Sequence, residues 1–283
     1  MKYGLVLEGG AMRGLFTAGV IDVLMENDII LDGAVGVSAG AAFGCNYKSG
    51  QIRRAIRYNT RFCKDKRYCS KLSLIKTGDL FGAEFCYHTV PEELDIFDKA
   101  AFEASPMEFW VVATDITTGK AVYHKCGPIN YDELEWIRAS ASMPVVAHIV
   151  EVGGYRLLDG GISDSIPLRF MESRGYDKNV VVLTQPRDYV KKPASGMALM
   201  KLKYRKYPEL VRAAENRHKM YNSELKHIRS EEEKGKAFVI APSEALPVGH
   251  VEHDPEVMRE VYRIGRRIAN EQLEALRAFI SEE

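Results

Sequence analysis

Two serine and aspartate stretches and one glycine-rich loop carry the residues of this chain that could do chemistry. Gly36-Val37-Ser38-Ala39-Gly40 is a G-x-S-x-G stretch. That spacing suits a sharp strand-to-helix turn with Ser38 at its apex, where bulk at Gly36 or Gly40 would collide with neighbouring backbone. Ser38 follows the apolar run "AVGV" and precedes the small-residue run "AGAAFG", the setting a nucleophilic serine requires. The helix that starts there aims its first N–H groups toward the place where negative charge would develop. "LEGGAMRG", Leu7 to Gly14, repeats the strand-to-helix arrangement with Gly9, Gly10 and Gly14. It lacks the glycine at the third place of a dinucleotide fingerprint, where Ala11 stands. It also lacks the lysine and hydroxyl of a P-loop, with Leu15 and Phe16 standing there. What remains is a nest of backbone N–H groups able to hold an oxyanion, with Arg13 beside it.

The third stretch is "LLDGGISDSIP", in which Asp159 ends a strand and Gly160 and Gly161 leave its carboxylate room to approach another loop. In a parallel sheet the ends of these three strands fall on one edge, where ligands bind in such folds. A serine needs a proton acceptor. In the order serine, acid, histidine, the candidates after Asp159 are His218, His227, His250 and His253. The first two lie in a charged helical stretch and the others in a loop. Asp159 alone is a weak base at its ordinary pKa. Partial desolvation and a strong oxyanion site would make it workable, one well-placed donor being worth roughly 3 to 4 kcal/mol.

The elements that must position these residues read as β-α-β-α from the N-terminus, with connections too long for hairpins, and so as a parallel sheet. Strands are expected at "YGLVL", "LDGAVGVS", "EFWVVATDI", "KAVYHK", "YRLLDGG", "NVVVLTQ" and "AFVIAP". Helices are expected after Gly14 and Ser38, and around 132–142, 167–174, 208–234 and 255–280. No repeat or low-complexity linker interrupts the chain, so one domain is expected, with a core over 1–185 and a mainly helical extension over 186–283.

The 283 residues are 46% apolar and carry 39 basic and 39 acidic side chains, so no global field selects nucleic acid. The first apolar run ends at Glu8, too early for a signal segment, and no run has the length of a membrane span. These features predict a cytoplasmic protein. Cys45, Cys63, Cys69, Cys86 and Cys126 form no C-x-x-C pair and read as reduced thiols. The grouping of Cys63, Cys69, Cys86 and His88 matches no common zinc spacing. Residues 51–76 carry nine basic residues against Asp65, and 187–206 carry seven against Asp188. Each reads as a solvated face or as a rim for anionic headgroups at a membrane surface. The stretch 61–82 is long, mixed in character and lies between the motifs, as a lid or a surface excursion would.

Together, "GGAMRG", "GVSAG", "ASASMP" (Ala139 to Pro144) and "DGG" resemble the patatin-like phospholipase family, bacterial branch, in that order over residues 2–183. The resemblance implies a three-layer α/β/α fold with a mostly parallel central sheet, and hydrolysis of lipid esters without a metal or organic cofactor. It implies Ser38 as nucleophile, Asp159 as its base, and Gly9, Gly10, Ala11, Arg13, Gly14 and Ala39 around the oxyanion. Gly36, Gly40, Gly160 and Gly161 would support the two turns. The family's loop usually has a third consecutive glycine where this chain has Ala11. A methyl group fits there if φ is negative. An acyltransferase or thioesterase built on the same acyl-enzyme, and a catalytically silent lipid-binding module, are the alternatives.

Overall fold

The computed structural model describes residues 1–281. The first strand, β1 (Tyr3–Leu7), leads through a short helical turn at Ala11–Arg13 into α1 (Gly14–Glu26). Next come β2 (Gly33–Val37), α2 (Ala39–Lys48), α3 (Arg54–Phe62) and α4 (Lys71–Thr77). A wide-wound helical segment, Phe85–Leu94, precedes α5 (Lys99–Ala104). The middle of the chain forms β3 (Glu108–Asp115), β4 (Ala121–Lys125), α6 (Tyr131–Ser140), β5 (Val150–Val152) and β6 (Tyr155–Asp159). The remainder is α7 (Leu168–Ser173), β7 (Lys178–Val182), α8 (Met197–Lys203), α9 (Pro208–Glu233), β8 (Ala237–Ile240), α10 (Pro255–Glu271) and α11 (Leu273–Ser281).

The eight strands form one sheet in the order β5-β6-β3-β2-β1-β7-β8, with β4 paired to β3. β3, β2, β1, β7 and β8 run parallel. β4 and β6 run antiparallel to β3, and β5 antiparallel to β6. Period-two alternation explains why both faces are apolar. Leu5 and Leu7 point into a core shared with α1, α2, α6 and α10, and Val6, Val35 and Val37 into a second core under α7 and α9. Helices therefore cover both faces, giving three layers. The C-terminal third adds β8 beside β7 and lays α10 along α1. There the backbones meet so closely that a Cβ on Gly19 would stand 2.2 Å from the Tyr262 carbonyl oxygen. One on Gly265 would stand 2.1 Å from that of Phe16.

The three-residue β5 and the short helices α4, α5 and α8 are too brief to be read from periodicity; α3 is amphipathic, but its many basic residues let it read only as a solvated face. The expected 255–280 helix is interrupted at Gln272, giving α10 and α11. The sheet departs from the expectation in one consequential way. Asp159 does not end a parallel strand; β6 runs against β3, with Asp159 opposite Ala113.

Candidate active site

The antiparallel β6 still delivers Asp159 to the C-terminal edge of the parallel strands, and the register shows how. Val37 on β2 lies opposite Val112 on β3, so the next level up holds Ser38 on one side and Ala113 on the other. Ala113 in turn faces Asp159. Ser38 and Asp159 are thus level, with β3 between their strands. Two strand spacings of about 4.8 Å are bridged by one serine and one aspartate side chain. The Ser38 hydroxyl donates to Asp159 Oδ2 at 2.7 Å, and both residues are buried.

Ser38 pays for that position in backbone strain. Its φ and ψ are 55° and −120°, a conformation that non-glycine residues adopt only where the surroundings enforce it. The enforcement is steric. A Cβ on Gly40 would lie 2.3 Å from the Leu7 carbonyl oxygen, and one on Gly36 would lie 2.4 Å from that of Gly40. The Ser38 N–H donates to Ser140 Oγ at 2.9 Å, and Asp159 N–H to the Ser142 carbonyl at 2.8 Å. The "ASASMP" stretch therefore ties the serine turn to the aspartate strand.

Asp159 is fixed by further contacts. Its Oδ1 accepts from the Gly161 N–H at 2.8 Å, and its carbonyl accepts from Thr114 Oγ1 at 2.8 Å. Gly160 cannot carry a side chain, since its Cβ would stand 2.1 Å from the Val112 carbonyl oxygen. Burial pushes the Asp159 carboxyl above its ordinary pKa. The Arg217 guanidinium, the Ser38 hydroxyl and the Gly161 N–H act in the opposite direction. A buried carboxylate of raised basicity, bonded directly to a serine hydroxyl, can take the serine's proton.

The glycine-rich loop lies against the serine turn: a Cβ on Gly9 would be 3.0 Å from Ser38 Cβ. Glu8 anchors it from below. This buried carboxylate accepts from Tyr221 Oη at 2.6 Å and from Thr184 N–H at 2.5 Å. The first N–H groups of the Ala11–Arg13 turn and of α2 have no acceptor within their helices, which leaves those of Ala11 and Ala39 available beside Ser38. Arg13 and Gly14 stand beside this loop without offering it a backbone donor: the Arg13 N–H donates to the Gly10 carbonyl and the Gly14 N–H to Ala11 and Met12. Gly14 is required instead because a Cβ there would meet Ala39 Cβ at 2.6 Å. Ala11 departs from the expectation of negative φ: its φ is +49°, so the methyl group sits at a strained position where glycine would be relaxed.

Ser38 opens into an apolar cavity of about 90 Å³, whose walls include Ala11, Met12, Phe43, Tyr68, Phe81 and Met143. Ala42, Tyr58, Cys86 and Tyr87 also face a second cavity of about 60 Å³ that runs on toward Phe97 and Ile137. The stretch 61–82 therefore contributes walls, through Tyr68 and Phe81. The wide-wound segment supplies Cys86 and Tyr87.

The histidines are engaged elsewhere. His218 Nδ1 bonds the Glu215 carbonyl, His227 bonds Glu172, and His253 Nδ1 bonds the Cys63 carbonyl at 2.7 Å. His250 is exposed, and no histidine stands between Ser38 and Asp159. The five cysteines are unpaired. His88 bonds Glu135 at 2.8 Å, apart from any cluster of three ligating atoms with the cysteines among the described residues. One of the nine basic residues of 51–76 is internal: Arg54 is buried and pairs with Asp95, which also holds the exposed Arg57.

A family model described as patatin-like phospholipase matches residues 5–171. The chain belongs to the patatin-like phospholipase family. A second model, described as a domain of unknown function, matches 207–281. Over 94% of its length the chain is 28% identical to "Uncharacterized protein YjjU" of Escherichia coli K12, covering 75% of that protein. Over 64% it is 29% identical to "Uncharacterized NTE family protein Rv1063c" of Mycobacterium tuberculosis H37Rv, spanning 48% of that relative. It is also 30% identical over 62% of its length to "Lysophospholipase nte1" of Emericella nidulans, of which it covers 11%. Among solved structures, VipD from Legionella pneumophila aligns over 97% of this chain and 67% of its own, at 12% identity and a TM-score of 0.49. No helix among the described residues is long and apolar enough to cross a membrane.

Sequence reasoning missed Glu8, Arg217 and Glu224 around the patatin-like site, and placed Ser140 and Lys191 only within the "ASASMP" stretch and the basic segment 187–206, without a role for either. Glu8 was legible in principle, as a carboxylate inside an otherwise apolar strand end. Arg217 and Glu224 were not, because their helix reads as a solvated one.

Proposed function

We propose that this protein is a serine acyl hydrolase for lipid esters, with Ser38 as nucleophile and Asp159 as its base. The observation that carries the reading is the direct 2.7 Å hydrogen bond from Ser38 Oγ to Asp159 at the mouth of an apolar cavity. Ser38 Oγ attacks the ester carbonyl as its proton passes to Asp159, and the negative charge that develops on the carbonyl oxygen is held by backbone N–H groups at Ala11 and Ala39. The proton then goes to the departing alcohol, leaving an acyl group on Ser38. Water attacks this acyl-enzyme, again with Asp159 as base, and releases the fatty acid. The cavity takes the acyl chain, which is why its walls are aromatic and aliphatic. The relative named a lysophospholipase supports the choice of lipid esters as substrates.

The surface near the cavity suits an approach to lipid. On α4, Ile75 is 81% exposed beside Lys71 and Lys76, and on α8, Leu202 is 69% exposed beside Lys201 and Lys203. Both helices bond to the loop that follows Met143: Leu80 N–H, just past α4, donates to the Val146 carbonyl, and Lys203 Nζ to that of Val145. Exposed apolar side chains among lysines insert and attract at an anionic membrane surface.

Hydrolysis of p-nitrophenyl esters of graded chain length tests the reading. Activity should rise toward long chains and vanish in Ser38→Ala, and a fluorophosphonate probe should label Ser38. Labelling absent from the wild-type protein would instead favour a silent lipid-binding module.

A further inference from the structure

We propose that Arg13, Lys191 and Arg217 form an oxyanion-binding subsite that receives a phosphate carried on the alcohol side of the acyl ester. Three separate parts of the chain supply these cations: the turn before α1, the loop after β7 and the middle of α9. Among the described residues none of the three side chains has an ion pair or a hydrogen-bond acceptor, and the Nε atoms of Arg13 and Arg217 are buried without a partner. A guanidinium nitrogen buried without a partner is costly, so two of them beside the Lys191 ammonium mark a place where an anion completes the arrangement.

They converge on Tyr221: Arg217 lies one turn before it on α9, the Lys191 ammonium sits over its ring, and its hydroxyl bonds Glu8 at the root of the loop that carries Arg13. Burial lowers the Lys191 pKa to about 8, helped by the charges of Arg217 and Arg13 and opposed by Glu8 and Glu224; burial first, and then the same three cations, hold the nearby His250 below its ordinary range. Lys191 is held rather than free. Its N–H donates to Asn222 Oδ1 at 2.8 Å, and Asn222 Nδ2 donates to its carbonyl at 3.0 Å. Its ammonium stands 4.6 Å from the centre of the Tyr221 ring. The neighbouring carboxyls are otherwise committed. Glu8 is bonded to Tyr221 and Thr184, Asp159 to Ser38 and Gly161, and Glu224 is kept protonated beside Asp164.

The subsite adjoins the reacting atoms without sharing the acyl cavity. Arg217 Nη2 lies 2.9 Å from where a Gly161 Cβ would stand, and Gly161 holds Asp159. None of the three cations lines the apolar cavity. An ester with its chain in that cavity and its carbonyl at Ser38 therefore has its alcohol portion left to reach them. Arg217 lies within the segment that matches the domain of unknown function, so that segment would contribute substrate selection.

The placement of the ester rests on the acyl-hydrolase reading, but anion binding can be measured without it. The full chain and its Lys191→Gln and Arg217→Gln variants are titrated by calorimetry with glycerol 3-phosphate, with inorganic phosphate and with glycerol, at constant ionic strength. In parallel, kcat/KM is measured for lauroyl lysophosphatidate and for monolauroylglycerol. Wild-type protein should bind glycerol 3-phosphate, and the ratio of phosphorylated to neutral ester should fall about tenfold or more in each variant, as expected for one charged hydrogen bond. Absence of glycerol 3-phosphate binding, or an unchanged ratio in both variants, overturns the proposal. Binding of inorganic phosphate alone would make this a free-phosphate site and overturn the substrate role. Binding lost in the variants, with neither ester cleaved by the wild type, would support the subsite while removing the hydrolase reading.

Discussion

The two sides of Ser38 are built on opposite principles. On the acyl side, position is enforced by backbone against backbone: Gly36, Gly40 and Gly160 each occupy a space in which a methyl group would meet a carbonyl oxygen at 2.1–2.4 Å. On the polar side, Arg13, Lys191 and Arg217 are held near one another by packing around charges that the protein leaves unmatched. The first side tolerates almost no change in shape and the second should tolerate shape change but not change of charge. Steric enforcement fixes where the nucleophile sits, whereas the charged side sets what approaches it.

The largest effects belong to the acyl side. Ser38→Ala and Asp159→Asn should each lower ester hydrolysis by roughly a thousandfold or more, as loss of a nucleophile or its base does elsewhere. His250→Ala and His253→Ala should leave most of the activity. A comparable loss in either histidine variant, measured on the same long-chain ester, would break the assignment of Asp159 as the direct base. Gly160→Ala should cost on the order of 3 kcal/mol or more of folding free energy, because the clash is with backbone and cannot be relieved by a side-chain rotation. A denaturation midpoint equal to that of the wild type would contradict the close approach to Val112.

This contrast also explains what the sequence discloses. Glycines at fixed spacing around Ser38 and Asp159 are visible because steric demands restrict residue type at those positions. The charged side is hidden because nothing in the amphipathic pattern of α9 separates Arg217 from its exposed neighbour Arg212, and Lys191 sits in a segment with no period at all. The antiparallel β6 was hidden too. A five-residue strand carries no mark of its direction, and the convergence of Ser38 with Asp159 depends on register across β3. Chain order and turn chemistry were legible; long-range pairing was not.

Two substitutions sharpen the comparison through stability. Asp164 and Glu224 lie together beneath the polar side; burial raises both carboxyl groups above their ordinary values, and the Asp164 charge raises Glu224 further, whereas the bond from Glu224 acts to lower Asp164. The pair keeps one proton in the folded state. In the unfolded chain Glu224 loses its proton near 4.5, so the folded protein binds more protons above that pH and its stability falls as pH rises. The slope for one retained proton is at most about 1.4 kcal/mol per pH unit. Glu224→Gln has no such proton to lose, and should flatten the fall between pH 5 and pH 8 in denaturant titrations; parallel curves would exclude a protonated Glu224. Ala11→Gly acts on the loop itself. Relief of the positive φ at Ala11 should raise stability by about 1 kcal/mol, net of the greater flexibility of the unfolded chain. A lower midpoint would show that the methyl group's packing in the cavity outweighs the strain.

The smallest effect links the two sides. Asp159 must be ionised to accept the serine proton, and its folded pKa is raised, so hydrolysis is lost as pH falls through that raised value. Arg217 is the cation that lowers it. Arg217→Gln should therefore move the acid limb of kcat/KM to higher pH, even on a neutral ester with no phosphate to bind. Lys191→Gln should leave the limb where it is, since Lys191 is not among the groups that act on Asp159. If both variants moved the limb equally, the cationic cluster would act as a diffuse field. If only Arg217→Gln moves it, one residue serves both the base and the anion, and the charged side reaches the chemistry through a single guanidinium.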